Sequence, residues 1–482
     1  MNSKKNCSTH YFASSLPLPE KVKTLIQLVK KLAAGEVNKS NTNYAKRTAF
    51  DTELTLLKPC LLLSKNESTS EQQFSYLMAN PTNTSLVEPC TATQNIATDT
   101  SADISTSLAA RTQHIPLHSG WVGYYAYPNQ IESNEPKEKP QSEFHYYPWT
   151  ICLDHTTGDF HLLGNPDNQA RLLFDLLQQD VTRTLDCAVK DDSERYENTD
   201  FKTRQFKASK FSSVWTQKQY NHAFYKIQDY LKAGDCYQVN LTQPHKASYT
   251  GSALETLAPL YSALSPSYGC YFEGRDCELI SVSPERFISI DASGRLEAKP
   301  IKGTIKRSTD PVQDQLYIDE LKNSAKNQAE NLMIVDLLRN DLSMSAQPNS
   351  VKVEKLFELE THPNVHHLVS TISAQLKADL TPTEAIVNAF PGGSITGAPK
   401  KRAMEIIDEL EAQPRSLYCG SFGYYSNTGN VDFNILIRSV EFRDGEMTCW
   451  GGGGITVDSD CEEEYEESLT KVRKIMEVIE GL

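Results

Sequence analysis

Apolar residues recur at helical spacing in four stretches of the C-terminal half. Tyr220, Phe224, Ile227 and Leu231 share one helix face, and Gly234 is placed to cap it. Residues 319–342 and 397–412 repeat the pattern. Tyr465, Leu469, Val472, Met476 and Ile479 predict a last helix over about 462–480. Between the helices the pattern turns strand-like. Tyr237–Leu241 reads as one strand, and 279–291 and 295–302 as two strands around an Asp-Ala-Ser-Gly turn. Residues 417–457 read as three strands, broken at Asn427–Gly429 and Asp444–Gly445. Hairpins and a meander with helices beside them predict an α+β fold on an antiparallel β-sheet core.

The N-terminal half carries less pattern, with strand-like runs at Leu61–Ser64 and Trp121–Tyr127. Residues 64–113 are rich in Ser, Thr, Asn and Ala and predict a mobile insertion, because they have little to bury. Residues 130–142 predict an exposed loop, and the polar run 188–213 a linker. The expected division is a divergent N-terminal domain over 1–213 and a second domain over 214–482 that carries the chemistry.

Charge and composition narrow the partners. A net charge of −14 repels phosphates, so nucleic acid and anionic membranes are not expected. An anionic ligand in a locally positive site remains compatible with it. The 11 cysteines form no C-x-x-C pair and fit a reducing compartment better than a disulfide framework. Lys4 and Lys5 have no apolar segment behind them, and no window reaches the ~18 apolar residues of a membrane span. A cytoplasmic protein is expected.

Four groups of residues could do chemistry. With Ser293–Gly294 as the hairpin loop, Glu285 falls opposite Lys302 on one sheet face, Cα atoms ~5 Å apart. Such a pair is either a surface ion pair of little worth or an acid beside an amine that burial could make nucleophilic. Glu330 lies at the edge of the apolar stripe formed by Leu332, Met333, Val335 and Leu337. It is either a solvated helix carboxylate or a site group. Glu464, Glu467 and Lys471 share one face of the last helix. Two carboxylates so spaced suit magnesium, and equally suit a solvated helix start. The glycines of Pro391–Lys400 and Gly451–Gly454 would admit an anion or a ligand close to the backbone. Neither run fits a phosphate-loop or dinucleotide pattern.

Eight motifs then follow in order: SPERF (283–287), PIKGT (300–304), AENLMIVDLLRNDL (329–342), HHLVST (366–371), GSITGAPK (393–400), YCGSFGYY, FNILIRS and GGGGITVDSD. Together, over about 220–480, they resemble the chorismate-utilising enzymes. The resemblance implies a magnesium ion held by Glu330 and Glu467, with Glu464 nearby through water. It implies Glu285 as the general acid for the 4-hydroxyl of chorismate, with His367 near that departing group. Arg438, Tyr418, Gly452, Gly453 and Gly454 match the cradle for the enolpyruvyl carboxylate. Lys471, Ser394 and Thr304 match further substrate-binding positions, and Lys400 belongs to the same motif set.

Two positions separate the branches of the family. Members that add water resemble one another in a base lysine where this chain has Gln238, which implies ammonia instead. Anthranilate-forming members carry alanine in P-I-A-G-T, where this chain has Lys302. The resemblance therefore implies that Lys302 attacks C2 as the 4-hydroxyl leaves and that ammonia then enters at C4. The product would be 4-amino-4-deoxychorismate, on the way to 4-aminobenzoate and folate. The chain has no G-x-C-x-G segment, so a separate glutaminase subunit is the implied ammonia source. The family also implies a possible tryptophan pocket between Leu61–Ser64 and Ser265–Tyr268. Anthranilate formation and a non-catalytic chorismate-binding homologue are the alternatives. The joint presence of Glu285, Lys302, Glu330, His367 and Glu467 opposes the second.

Overall fold

A computed structural model describes residues 11–12, 18–33, 58–64, 74–86, 112–128, 141–189, 206–361 and 365–482. Among them, antiparallel strands form two large sheets with helices on their outer faces, which is the expected α+β class. The first sheet has 13 strands. It runs from the N-terminal half through Trp149–Asp154, Phe74–Met78 and Cys60–Leu63 to Tyr268–Glu273 and Glu278–Ser283. It then continues through Ser439–Arg443 and Glu446–Ile455 to Gln238–Thr250. The second has 10 strands and likewise joins Gly120–Tyr125 to Ser421–Ser426. Both sheets therefore draw strands from either side of residue 213.

The sheets face each other across an apolar layer containing Cys60, Val122, Tyr147, Phe272 and Phe422, with the last two rings 5.3 Å apart. Helices Leu18–Ala33, Asn168–Val189, Leu257–Leu264 and Cys461–Glu480 cover the outer face of the first sheet. Helices Ala325–Ser345 and Pro382–Ala389 cover the second. No helix among the described residues is long and apolar enough to cross a membrane.

The helix Gln217–Ala233 forms as its pattern predicts, with a capping box at Thr216 and Gly234 at φ 80°. Other expectations need correction. Within the polar stretch 64–113, Phe74–Met78 is a fully buried strand between Cys60–Leu63 and Trp149–Asp154. Five residues of strand pattern are lost among the polar residues around them. Residues 65–73 and 87–111 of that stretch lie outside the described residues, as do 130–140 of the expected loop and 190–205 of the expected linker. The 279–302 hairpin is also different. Ser289 faces Glu297 and Ile290 faces Leu296, one residue off the expected register. Neither strand is continuous, with breaks at Pro284–Glu285 and Lys299–Pro300. Proline offers no ladder N–H, which favours such breaks. The strand Ile301–Lys306 pairs instead with Val365–Gln375, so Lys302 is not opposite Glu285. The 319–342 helix is two, Pro311–Asn323 and Ala325–Ser345, because Ser324 caps the second by accepting from Asn327 N. The three strands of 417–457 are four, with an added break at 436–438 where Arg438 takes φ 51°.

Candidate active site

The strand Ile301–Lys306 bulges between Ile301 and Thr304, and Gly303 takes φ 93° there. The φ of 93° favours glycine, and a Cβ there would also press on side chains of the two helices over the bulge, at 3.1 Å from Leu321 and 3.2 Å from Asn327. The neighbouring Lys302 puts Nζ 2.9 Å from Glu330 Oε2 on the helix Ala325–Ser345. Two residues on, Thr304 Oγ1 is 2.8 Å from His367 Nδ1, directly across the ladder.

Glu285 occupies the break between Glu278–Ser283 and Arg286–Ile290. Its Oε1 accepts from Ser394 Oγ at 3.0 Å. Burial pushes its pKa up to about 6, against the pull of Ser394, Lys302, Lys471 and Arg438. Burial lowers the pKa of the Arg438 guanidinium, and Glu285 opposes that shift.

The strand Glu446–Ile455 lies between Gln238–Thr250 and the helix Cys461–Glu480. A Cβ at Gly453 would lie 2.9 Å from Glu464 Oε2, 3.6 Å from Lys471 Nζ and 3.8 Å from Glu467 Oε1. The absence of a side chain thus brings the charged face of the helix down onto the strand. Lys471 Nζ donates to Gly452 O at 2.9 Å and pairs with Glu467 Oε1 at 2.7 Å. Glu464 accepts from Ser459 Oγ at 2.7 Å, and burial, aided by Glu467, raises its pKa. Burial works in the same direction on Glu467, but Lys471, Lys302 and Lys326 outweigh it and hold that carboxyl low. Gly454 lies against the Gln238 amide, and Tyr418 stacks on Trp450 at 5.6 Å and 8°.

Glu285, Lys302, Glu330, Arg438, Glu464, Glu467 and Lys471 therefore converge. Lys302 acts electrostatically on Glu285, Glu464 and Glu467, and Lys471 acts on all three as well. Among the described residues, no three His, Cys, Asp or Glu side chains already form a metal cage. The donor chemistry nevertheless suits magnesium. Glu330, Glu464 and Glu467 offer only carboxylate oxygens, and the repulsion of Glu464 by Glu467 is what a hard cation relieves.

Lys400 does something else. Its Nζ is 2.7 Å from Asp341 Oδ1 and donates to Ala389 O at 2.8 Å. Sequence reasoning passed over Asp341, although an acid between the buried Leu338 and Leu342 was a readable signal. It also passed over the buried Glu411–Arg415 pair.

A family profile described as chorismate binding enzyme matches residues 58–477. The chain belongs to the chorismate-binding enzymes. Among its relatives, "Aminodeoxychorismate synthase component 1" of Escherichia coli (strain K12) is 40% identical over 375 residues, covering 76% of this chain and 78% of that protein. The Salmonella typhimurium (strain LT2) protein of the same name is 42% identical over 342 residues, 71% of either chain. Anthranilate synthase component I from Streptococcus pneumoniae TIGR4 superimposes with a TM-score of 0.66 at 23% identity, over 91% of this chain and 98% of that one. That last likeness establishes the fold. In this chorismate-binding enzyme the matched span begins at Lys58, so it takes in the N-terminal strands of both sheets from Cys60 onward.

Proposed function

We propose that the chain aminates chorismate to 4-amino-4-deoxychorismate, with ammonia supplied by a separate glutaminase subunit in the cytoplasm. The observation that carries this reading is Lys302, whose Nζ pairs with Glu330 at 2.9 Å in the same site as the acid Glu285. The names of the relatives support it, and "component 1" in those names supports a second subunit.

Arg438, Tyr418 and Lys471, with the backbone of Gly452, Gly453 and Gly454, receive the enolpyruvyl carboxylate. Magnesium held by Glu330, Glu464 and Glu467 would supply positive charge for the ring carboxylate. Glu285 in its acid form gives a proton to the departing C4 oxygen. His367, fixed by Thr304, stands beside that oxygen. Lys302 in its amine form bonds to C2 while the C4–O bond breaks, the ring double bonds shift, and water leaves. Ammonia then bonds to C4, the double bonds shift back, and the C2–N bond breaks to restore Lys302. The new C4 ammonium returns a proton to Glu285. The sum is chorismate plus ammonia giving the amino product and water.

Beside the strand Cys60–Leu63 lies a cavity of about 350 Å³, lined by Leu62, Ser64, Tyr268, Arg286, Asp432 and Asn434. We propose an aromatic amino acid as its occupant, and calorimetric titration with tryptophan tests this.

The test of the reaction is turnover of chorismate with magnesium and ammonium chloride, with products identified by mass. The expected product is 4-amino-4-deoxychorismate, with a covalent adduct in the wild type that Lys302→Ala lacks. Anthranilate as the product would replace this reading with its alternative. Binding without turnover, with and without a glutaminase subunit, would make the chain a non-catalytic homologue.

A further inference from the structure

Asp341 and Lys400 take no part in the proposed reaction. Residues 390–399 leave the helix Pro382–Ala389 and lead into the helix Lys400–Leu410. Lys400 sits where this loop ends, and Ala389 where it begins. The Lys400 ammonium donates to Ala389 O at 2.8 Å, so one side chain closes the neck of the loop. The same ammonium pairs at 2.7 Å with Asp341, whose side chain is 1% exposed. That pins the neck to the helix Ala325–Ser345. Burial pushes the Asp341 carboxyl up, and Lys400 pulls it back.

The loop is held from two further directions. Asp341 Oδ2 lies beneath it, where a Cβ at Gly393 would approach to 3.4 Å. Asn240 Nδ2 and Arg415 Nη1 both donate to Ile395 O, at 2.9 and 3.0 Å. Between Gly393 and Ile395 stands Ser394, whose hydroxyl donates to Glu285 at 3.0 Å. The helix that Asp341 anchors also carries Glu330, about three turns toward its N-terminus. One rigid path thus runs from Glu330 through Asp341, Lys400 and Ser394 to Glu285.

We propose that the Asp341–Lys400 ion pair is a positioning device for the general acid. It fixes the loop so that Ser394 meets Glu285, and it sets that loop against the helix bearing Glu330. The inference rests on Glu285 acting as the acid in the proposed reaction. A mere strut would stabilise the fold without coupling to Ser394, and that difference can be measured.

The experiment compares amination by the full chain with its glutaminase for wild type, Ser394→Ala, Lys400→Met, the double variant and Glu285→Gln. Lys400→Met strands a buried carboxylate and risks misfolding. Asp341→Asn/Lys400→Met, alone and with Ser394→Ala, removes both charges and serves in its place. Ser394→Ala and Lys400→Met should each lower kcat about tenfold, with KM for chorismate within about twofold. Combined, they should lose no more than about threefold beyond either single change, because both remove one interaction. Losses that multiply to about a hundredfold overturn the proposal, as does a Lys400→Met effect confined to KM. If Glu285→Gln turns over like wild type, the acid reading fails and takes the inference with it. If Glu285→Gln is inactive while the charge-removing variants keep wild-type kcat, the positioning role alone is wrong.

Discussion

Glu285 is held where its ionised form is disfavoured, and that has a thermodynamic signature. Its carboxyl titrates near 6 in the fold, against 4.5 for a free glutamate. The folded state therefore binds this proton more tightly than the unfolded chain. Stability from this group is intact below pH 4.5 and falls as pH rises through about 6. Above that it is lower by up to about 2 kcal/mol. Glu285→Gln should accordingly gain up to about 2 kcal/mol in urea denaturation at pH 7.5 and nothing at pH 4.5. Equal stability at pH 7.5 would contradict the burial argument. A second expectation concerns Lys302, since its amine is the proposed nucleophile. Lys302→Ala should reduce amination at least a thousandfold while chorismate still protects the chain from thermal unfolding. At this scale the sequence was informative about residue types and poor about partners. Glu285 and Lys302 stand out by type and motif, but Pro284 and Pro300 break the hairpin that would have paired them, and a bulge turns Lys302 to Glu330.

At the scale of elements, the glycine strand and the last helix act as one unit. A Cβ at Gly451 would lie 2.2 Å from Ser468 O, a clash with helix backbone that no rotamer relieves. Gly451→Ala should push the helix away and carry Glu464, Glu467 and Lys471 with it. We expect a loss of about 1–3 kcal/mol in stability and at least a hundredfold in turnover, checked by thermal unfolding and the amination assay. The buried Arg415 joins three elements differently. It bonds both oxygens of Glu411, and it donates to Ile395 O and Asn240 O. Arg415→Met should cost about 3–5 kcal/mol, because Glu411 is left charged and buried. Glu411→Gln in addition should recover most of that loss in denaturant titration. Periodicity located Gln217–Ala233, Ala325–Ser345, Lys400–Leu410 and Cys461–Glu480 but missed the helices Leu257–Leu264 and Pro382–Ala389 and the paired strands Lys352–Thr361 and Val365–Gln375. It did not locate the breaks, because each depends on one residue, such as Ser324 as a cap or Arg438 at φ 51°.

At the scale of the whole molecule, both sheets are completed by strands from opposite ends of the chain. Leu61 faces Tyr271, and Gly123 faces Gly423. Residues 214–482 expressed alone would leave Tyr268–Glu273 and Ser421–Ser426 as uncovered apolar edges. That fragment should be insoluble by itself and soluble when co-expressed with residues 1–213. Circular dichroism and tryptophan fluorescence of the full chain should report a single coincident transition. A soluble, chorismate-binding fragment 214–482 would contradict this. Antiparallel α+β architecture was legible from hairpins and meander alone. The long-range pairings were not, since nothing local in Cys60–Leu63 names Tyr268–Glu273 as its neighbour.

Those pairings also set a timetable for synthesis. The strand around Leu61 leaves the ribosome long before its partner around Tyr271 exists. At roughly 5–20 residues per second, the about two hundred residues between them take roughly 10–40 s to translate. For all that time the nascent chain shows an unpaired apolar edge. It is a natural client for holding chaperones, and codon pauses upstream of Tyr268 would lengthen the wait and lower the yield of folded protein.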